Sequence, residues 1–326
     1  MNKVGKIALS AFSGIPIALL YALLVRLTFA SKDYSFLFGT MTCGFLFLVP
    51  LAIGALTIRL APDEHRKSLT YAIFMPWVSI TIVGIGSAVL ALEAAICILM
   101  ALPIFLCLSS LGGYLFCDKN IDPPQTPSSH NAMLGLILLA PYLVTPFEMK
   151  LPTNASHRVV ENEIRINAPA NIVWDNIVNI HYINSNEQQY SIFHTFGVPK
   201  LEEAILTHEG VGGIRNAVFD NGLIFTETIT SWNENQSVQF SISPSSQSTA
   251  PPPYKIIGSK YLAVTEMDYS IEQIDQNNVI LHLSSQHILT THLNFYAGFW
   301  TELILKDVQA YALRIIKNRS ERKQYN

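Results

Sequence analysis

Charge is what this sequence has least of. Of its 326 residues only 14% are Asp, Glu, Lys or Arg, against 50% hydrophobic, and the mean hydropathy is +0.30. The shortage is local: from Ser68 to Cys117 the single charged side chain is Glu93. A soluble domain needs a charged outer face over such a length, so that reading is excluded there. Cysteine is scarce too, with Cys43, Cys97, Cys107 and Cys117 all in or beside the apolar stretches. The polar half has none, and cysteine usage therefore assigns it no compartment. Also missing are a GxSxG elbow, an HExxH pair, a P-loop, a CxxC and a dinucleotide fingerprint. Basic side chains form no stripe, which argues against a nucleic-acid partner.

What the first half does contain is long hydrophobic runs. Residues 69–89 and 92–116 each suffice for one pass through a bilayer, which takes roughly 20 apolar residues. Residues 7–30 and 35–58 make two more spans, with Arg26 placed to snorkel to the interface. A fifth segment, 132–147, is shorter and holds Pro141, so it reads either as a tilted span or as an interfacial helix; the span is the reading adopted. Lys3, Lys6, Arg59, Arg66, Lys67 and Lys119 fall in loops on one side, which the positive-inside rule makes cytoplasmic. Five spans then put the remainder outside, in the periplasm of a cell with two membranes; four leave it in the cytoplasm. The expected organisation is a transmembrane helical region over 1–150, in a cell or inner membrane, and a polar domain over 155–322.

The polar domain reads as strand, helix, a run of strands and a long final helix. Pro169 opens the first helix, with Val173, Ile177 and Ile180 on one stripe. A second, less regular helix is expected within 184–196. The segment from Gly210 to Trp232 reads as a hairpin turning on Asp220-Asn221-Gly222. A turn centred on Asn221 sets Phe219 opposite Leu223, Ala217 opposite Phe225 and Arg215 opposite Glu227. Period-2 alternation then puts all six on one face with Ile229. The next strand continues that face, setting Ile229 against Phe240 and Glu227 against Ile242. A further hairpin, 263–273 with 279–289, carries Met267, Tyr269 and Ile271 facing a strand that also holds Ser285 and His287. The final helix is expected from Gly298 to Asn318. Trp300, Ile304, Val308, Tyr311 and Ile315 form its apolar stripe, and Glu302 with Lys306 an exposed pair four residues apart.

This order of elements resembles the SRPBCC superfamily, also called START-like or Bet v 1-like, and within it the polyketide cyclase/dehydrase-like proteins. The resemblance covers about residues 158–322. It rests on INAPANIVWDNIVN at Ile166–Asn179, on GVGGIRNAVFDNGLIFTETITSW at Gly210–Trp232, and on LHLSSQHILTTHLNFYAGFW at Leu281–Trp300. The second and third motifs are similar to those of one membrane-attached bacterial branch. The resemblance implies an α+β helix-grip fold, a curved antiparallel sheet wrapped round a long C-terminal helix, with a hydrophobic cavity between them. Members bind lipids, sterols or polyketides, and some are enzymes, so the fold by itself transfers no activity.

The cavity candidates are Arg215, Glu227, Phe225, Ile229, Phe240, Met267, Tyr269, His287, Trp300, Ile304 and Tyr311. Arg215 and Glu227 have two readings: a pair that fixes the hairpin register, or one that offers a charge to a ligand's polar head. His287 is either a satisfied core histidine or an acid/base group. Neither a metal nor a cofactor is expected, since His287 and His292 lack a carboxylate close in sequence. Three functions follow. The first is membrane-tethered binding of a lipid or other hydrophobic small molecule, with the bilayer as the second partner. The others are a cyclase/dehydrase-type enzyme using Glu227 or His287, and a sensor or assembly protein whose domain binds a protein partner.

Overall fold

The computed structural model describes residues 12–31, 39–118, 127–251, 254 and 256–324. The chain forms two compact units, Met1–Thr153 and Asn154–Asn326.

Among the described residues the first unit is helical, with α1 (Ile15–Ala30), α2 (Val49–Arg59), α3 (Leu69–Val89), α4 (Ala95–Leu115) and α5 (Pro127–Glu148) its longer helices. A π-helical turn, Gly44–Leu48, leads into α2. Three helices are long and apolar enough to cross a membrane, Leu69–Val89, Ala95–Leu115 and Asn131–Glu148; Ile15–Ala30 and Gly44–Arg59 are shorter apolar helices. The described residues 39–42, ahead of the π-helical turn, are not helical. The expected starts at 7 and 35, with Lys3, Lys6 and Lys119, lie outside the described residues. The fifth segment is longer than its hydropathy suggested. It is fastened at both ends of the second: Arg59 Nη2 donates to Asn131 Oδ1 at 2.9 Å, and the Cys43 and Gly44 amides donate to the Glu148 carboxylate at 2.6 and 2.9 Å.

These helices approach closely because small residues face backbone. A Cβ at Gly54 would collide with the Ser109 carbonyl, and one at Gly112 with that of Leu51. Pro76, inside α3, cannot donate to the Ala72 carbonyl one turn back. Gly113 of α4 lies against that oxygen, the close backbone approach that small residues permit between apolar helices. Arg26 does not reach outward alone; its Nη2 bonds the Leu92 carbonyl and Glu93, both at 2.7 Å.

The second unit is a curled seven-stranded antiparallel sheet in the order β1-β7-β6-β5-β4-β3-β2, with a long C-terminal helix. Its strands are β1 (Ser156–Ile166), β2 (Leu201–Leu206), β3 (Ile214–Phe219), β4 (Ile224–Asn233), β5 (Ser237–Pro244), β6 (Leu262–Asp275) and β7 (Asn278–Leu289). Helix α6 (Ala170–Val178) follows β1, and α7 (Asn294–Gln324) closes the chain against β1, β7 and α6. This is the helix-grip arrangement. The hairpin pairs as alternation and turn chemistry predict, Arg215 with Glu227 and Ala217 with Phe225, and Gly222 takes the positive φ of 77° that the turn needs. Across β4 and β5, Ile229 meets Phe240 and Glu227 meets Ile242.

The second helix expected within 184–196 is one turn, Ile192–Thr195. Two expectations need correction. The last helix begins before Gly298, because Asn294 Oδ1 accepts from the Thr291 amide and hydroxyl and sets the first turn there. It also runs past Asn318, where Arg319 bonds Glu187 at 2.9 Å and Glu321 accepts the Asn167 amide. Glu302 does not turn to Lys306; Arg158 of β1 takes its carboxylate at 2.5 Å.

Candidate functional site

Strand alternation sends Arg215, Ala217, Phe225, Glu227, Ile229, Phe240 and Tyr269 to the inner face of the sheet. All seven are buried, and the five apolar and aromatic ones join a single cluster with Val173, Ile177, Tyr311 and Ile315 from the helices. Met267 is half-buried against that cluster. Tyr311 is buried on α7, whereas Trp300 and Ile304, nearer its start, are half-buried. His287 is fully buried on β7.

The charged pair is held from several directions. Arg215, 1% exposed, donates from Nε to Glu227 Oε2 at 2.5 Å and from Nη1 to the Ile177 carbonyl at 2.6 Å. Ile177 lies in the last turn of α6, where carbonyls lack helical partners and a cation is favoured. The Phe240 ring covers the guanidinium at 4.1 Å from its centroid, a cation–π contact. Tyr269 adjoins the pair, and burial pushes its phenol up to about 12 although Arg215 opposes the shift.

A second polar cluster lies between β7 and α7. His287 Nε2 is 3.3 Å from Thr301 Oγ1, while Nδ1 has no partner among the described residues. Burial holds this imidazole below its ordinary pKa, with Glu302 opposing and Arg158 assisting. Gln309 Nε2 donates to the Val160 carbonyl at 3.0 Å and to Ser285 Oγ at 2.9 Å, which leaves its Oε1 unmet. Trp300 Nε1 is likewise unmet. A third cluster joins His194, in the turn Ile192–Thr195, to Tyr311, with ring centroids 4.7 Å apart.

The structure thus brings Arg215, Glu227, Phe240 and Tyr269 into one contact group. It puts His287 with Thr301 and Tyr311 with His194, and leaves Trp300 and Ile304 partly open. Thr301, Gln309 and His194 were absent from the sequence reading. Thr301 and Gln309 are buried polar residues that lie off the stripe of Trp300, Ile304, Val308, Tyr311 and Ile315, and His194 sits in a stretch without periodicity. Among the described residues no group of three His, Cys, Asp or Glu side chains is arranged to hold a metal ion.

No protein-family model matches the chain, and no curated protein matches it. Solved structures match about half of its length. A norcoclaurine synthase point mutant from Thalictrum flavum, in complex with a transition-state analogue, is 11% identical; the match covers 52% of this chain and 98% of that one, with a TM-score of 0.34. The Zhui aromatase/cyclase from Streptomyces sp. R1128 is 14% identical over 52% of this chain and 96% of its own, with a TM-score of 0.34. The protein XoxI from Bacillus cereus is 12% identical over 52% and 99%, with a TM-score of 0.30. The activities in those names belong to those proteins alone.

Proposed function

We propose that this chain is a membrane-anchored binding protein for a lipid or other hydrophobic small molecule, held between the sheet and α7. One observation carries the reading. The aromatic and aliphatic inner face of the sheet shares one cluster with the buried side of α7, and near that helix polar atoms of His287, Gln309, Trp300 and Tyr311 are buried without a partner among the described residues. A folded interior normally satisfies such atoms. Apolar walls with a few convergent polar groups are what small-molecule sites are made of.

The chemistry favours binding over turnover. The cyclase-type alternative needs a proton-moving group free to meet substrate; Glu227 is engaged with Arg215, and His287 bonds Thr301 through Nε2 and keeps only Nδ1 open. The bonds of Arg215 to Glu227 and to the Ile177 carbonyl support the structural reading of that pair.

Anchoring follows from the first unit. The apolar stretch Asn131–Glu148 of α5 and its bonds at both ends of the second apolar segment support reading this helix as a span. Five spans with the basic loops inside put the second unit outside the cytoplasm. A reporter fused after Asn326 checks this: a periplasmic-only reporter should be active there, and an active cytoplasmic one rejects five spans.

The test of binding is mass spectrometry of small molecules extracted from the purified full chain and from Met267→Trp, which fills a half-buried inner position. An apolar molecule enriched in the parent and depleted in the variant is expected. Identical extracts from both would sink the reading.

A further inference from the structure

Arg215 and Glu227 spend their hydrogen bonds on protein groups, so the polar part of a bound molecule has to be met elsewhere. The strongest set of open polar atoms belongs to two side chains in contact, His194 and Tyr311. They are 8% and 1% exposed, and their rings meet edge to face at 84°. Neither ring nitrogen of His194 nor the Tyr311 hydroxyl has a partner among the described residues. By contrast His287 has Thr301, and both Gln309 amide hydrogens are used.

The His194 backbone is fixed independently of its ring. Ser191 Oγ accepts the His194 amide at 3.2 Å and donates to Asp307, whose carboxylate also accepts the Phe193 amide at 3.2 Å. Burial lowers the imidazole pKa, with Asp307 opposing, so the ring is neutral at physiological pH and offers one N–H and one lone pair. Burial likewise keeps the Tyr311 phenol protonated. The surrounding cations are occupied: Lys200 Nζ is on Gln188 Oε1 at 3.2 Å, and Arg314 Nη2 is on the Tyr190 carbonyl at 3.0 Å. Such a site offers donors and acceptors without charge. Lys200 and Arg314 act on His194 but are opposed there by Asp307 and Asp220, so an ionised carboxylate or phosphate would be desolvated with no net counter-charge.

We infer that His194 and Tyr311 form the polar end of the binding site proposed above, on which this inference rests, and recognise an uncharged hydroxyl or carbonyl on an otherwise apolar small molecule.

The test uses three probes with one ring body, naphthalene, 2-naphthol and 2-naphthoate. Each is equilibrated by dialysis with the full chain in lipid nanodiscs and with empty nanodiscs. The parent should retain 2-naphthol about tenfold more tightly than either relative, the worth of one or two hydrogen bonds. His194→Phe and Tyr311→Phe should each remove the preference for 2-naphthol over naphthalene. Tyr311→Phe deletes only a hydroxyl, and unchanged tryptophan fluorescence certifies its fold. Equal binding of all three probes to parent and variants would overturn the inference while the binding reading stands. A preference for 2-naphthoate would overturn it in favour of an anionic ligand. No retention of any probe above empty nanodiscs would remove both.

Discussion

In the helical unit charged side chains gather at the ends of helices, whereas in the sheet unit an Arg–Glu pair sits in the middle of two strands. Arg26 and Glu93 meet where α1 ends and α4 is about to begin, and Glu148 closes the last turn of α5 on two amides. The interior between them is apolar, relieved by a short bond between Thr57 and Ser79. A helix satisfies its own backbone, so only its termini ask for polar partners, and small residues let the cylinders touch. A curled sheet under one helix has a gap to fill, and it is filled by large side chains. There a buried guanidinium is tolerable only because a carboxylate, a helix-end carbonyl and an aromatic face meet it together.

The sharpest break in this comparison is Arg215→Met. It leaves Glu227 buried and unpaired, and should destabilise the sheet unit by about 3–5 kcal/mol, while Arg215→Met with Glu227→Leu should recover most of the loss. Urea unfolding of the full chain in detergent, followed by the edge-to-face Trp174–Trp232 pair, reads both. An Arg215→Met chain as stable as the parent would mean that the pair is not part of a dry core.

The counterpart in the helical unit is Gly54→Val, whose side chain collides with the Ser109 backbone. Overpacking of this kind costs about 1–3 kcal/mol. It should lower the thermal midpoint of the helical unit and leave the tryptophan transition of the sheet unit where it was. Movement of both transitions would contradict independent cores.

Acid gives a smaller effect, confined to the sheet unit. Hydrogen bonds from Arg319 hold the Glu187 carboxyl down to about 2, from its ordinary 4.5. A carboxylate whose folded pKa is depressed adds stability that is complete above about pH 4.5 and is lost as pH falls toward 2. Melting between pH 5 and pH 3 should therefore show an acid limb that flattens in Glu187→Gln. Least of all should come from His282→Gln. His282 lies between Glu163 and Glu272 on the surface, where such pairs contribute less than about 1 kcal/mol. A larger loss would show that surface electrostatics matter in this unit.

What could be read in advance follows the same division. The β3–β4 register was legible because period-2 alternation and Asp220-Asn221-Gly222 constrain it twice over. The helical stretches were legible because hydropathy alone selects them. Their limits were not, since the turn at 39–42 and the extension of α5 to Pro127 depend on caps and contacts between helices and not on composition. Of the inner face, the strand residues announced themselves by alternation. His194 did not, because one turn of helix has no period to detect. Glu302 was assigned to its neighbour four residues on, yet Arg158, 144 residues away in sequence, reaches it first. Local spacing identifies which partners are available, and tertiary folding chooses among them.

The bond from Arg215 to the Ile177 carbonyl has one more consequence. It links α6 to the β3–β4 hairpin across 38 residues, where the bond to Glu227 closes only 12. Opening α6 alone would strand a buried guanidinium, so α6 and the hairpin should open together as one cooperative unit. In native-state hydrogen exchange, amides at the end of α6 and in the middle of β3 and β4 are then expected to share a single opening free energy, and Arg215→Met to split them into two.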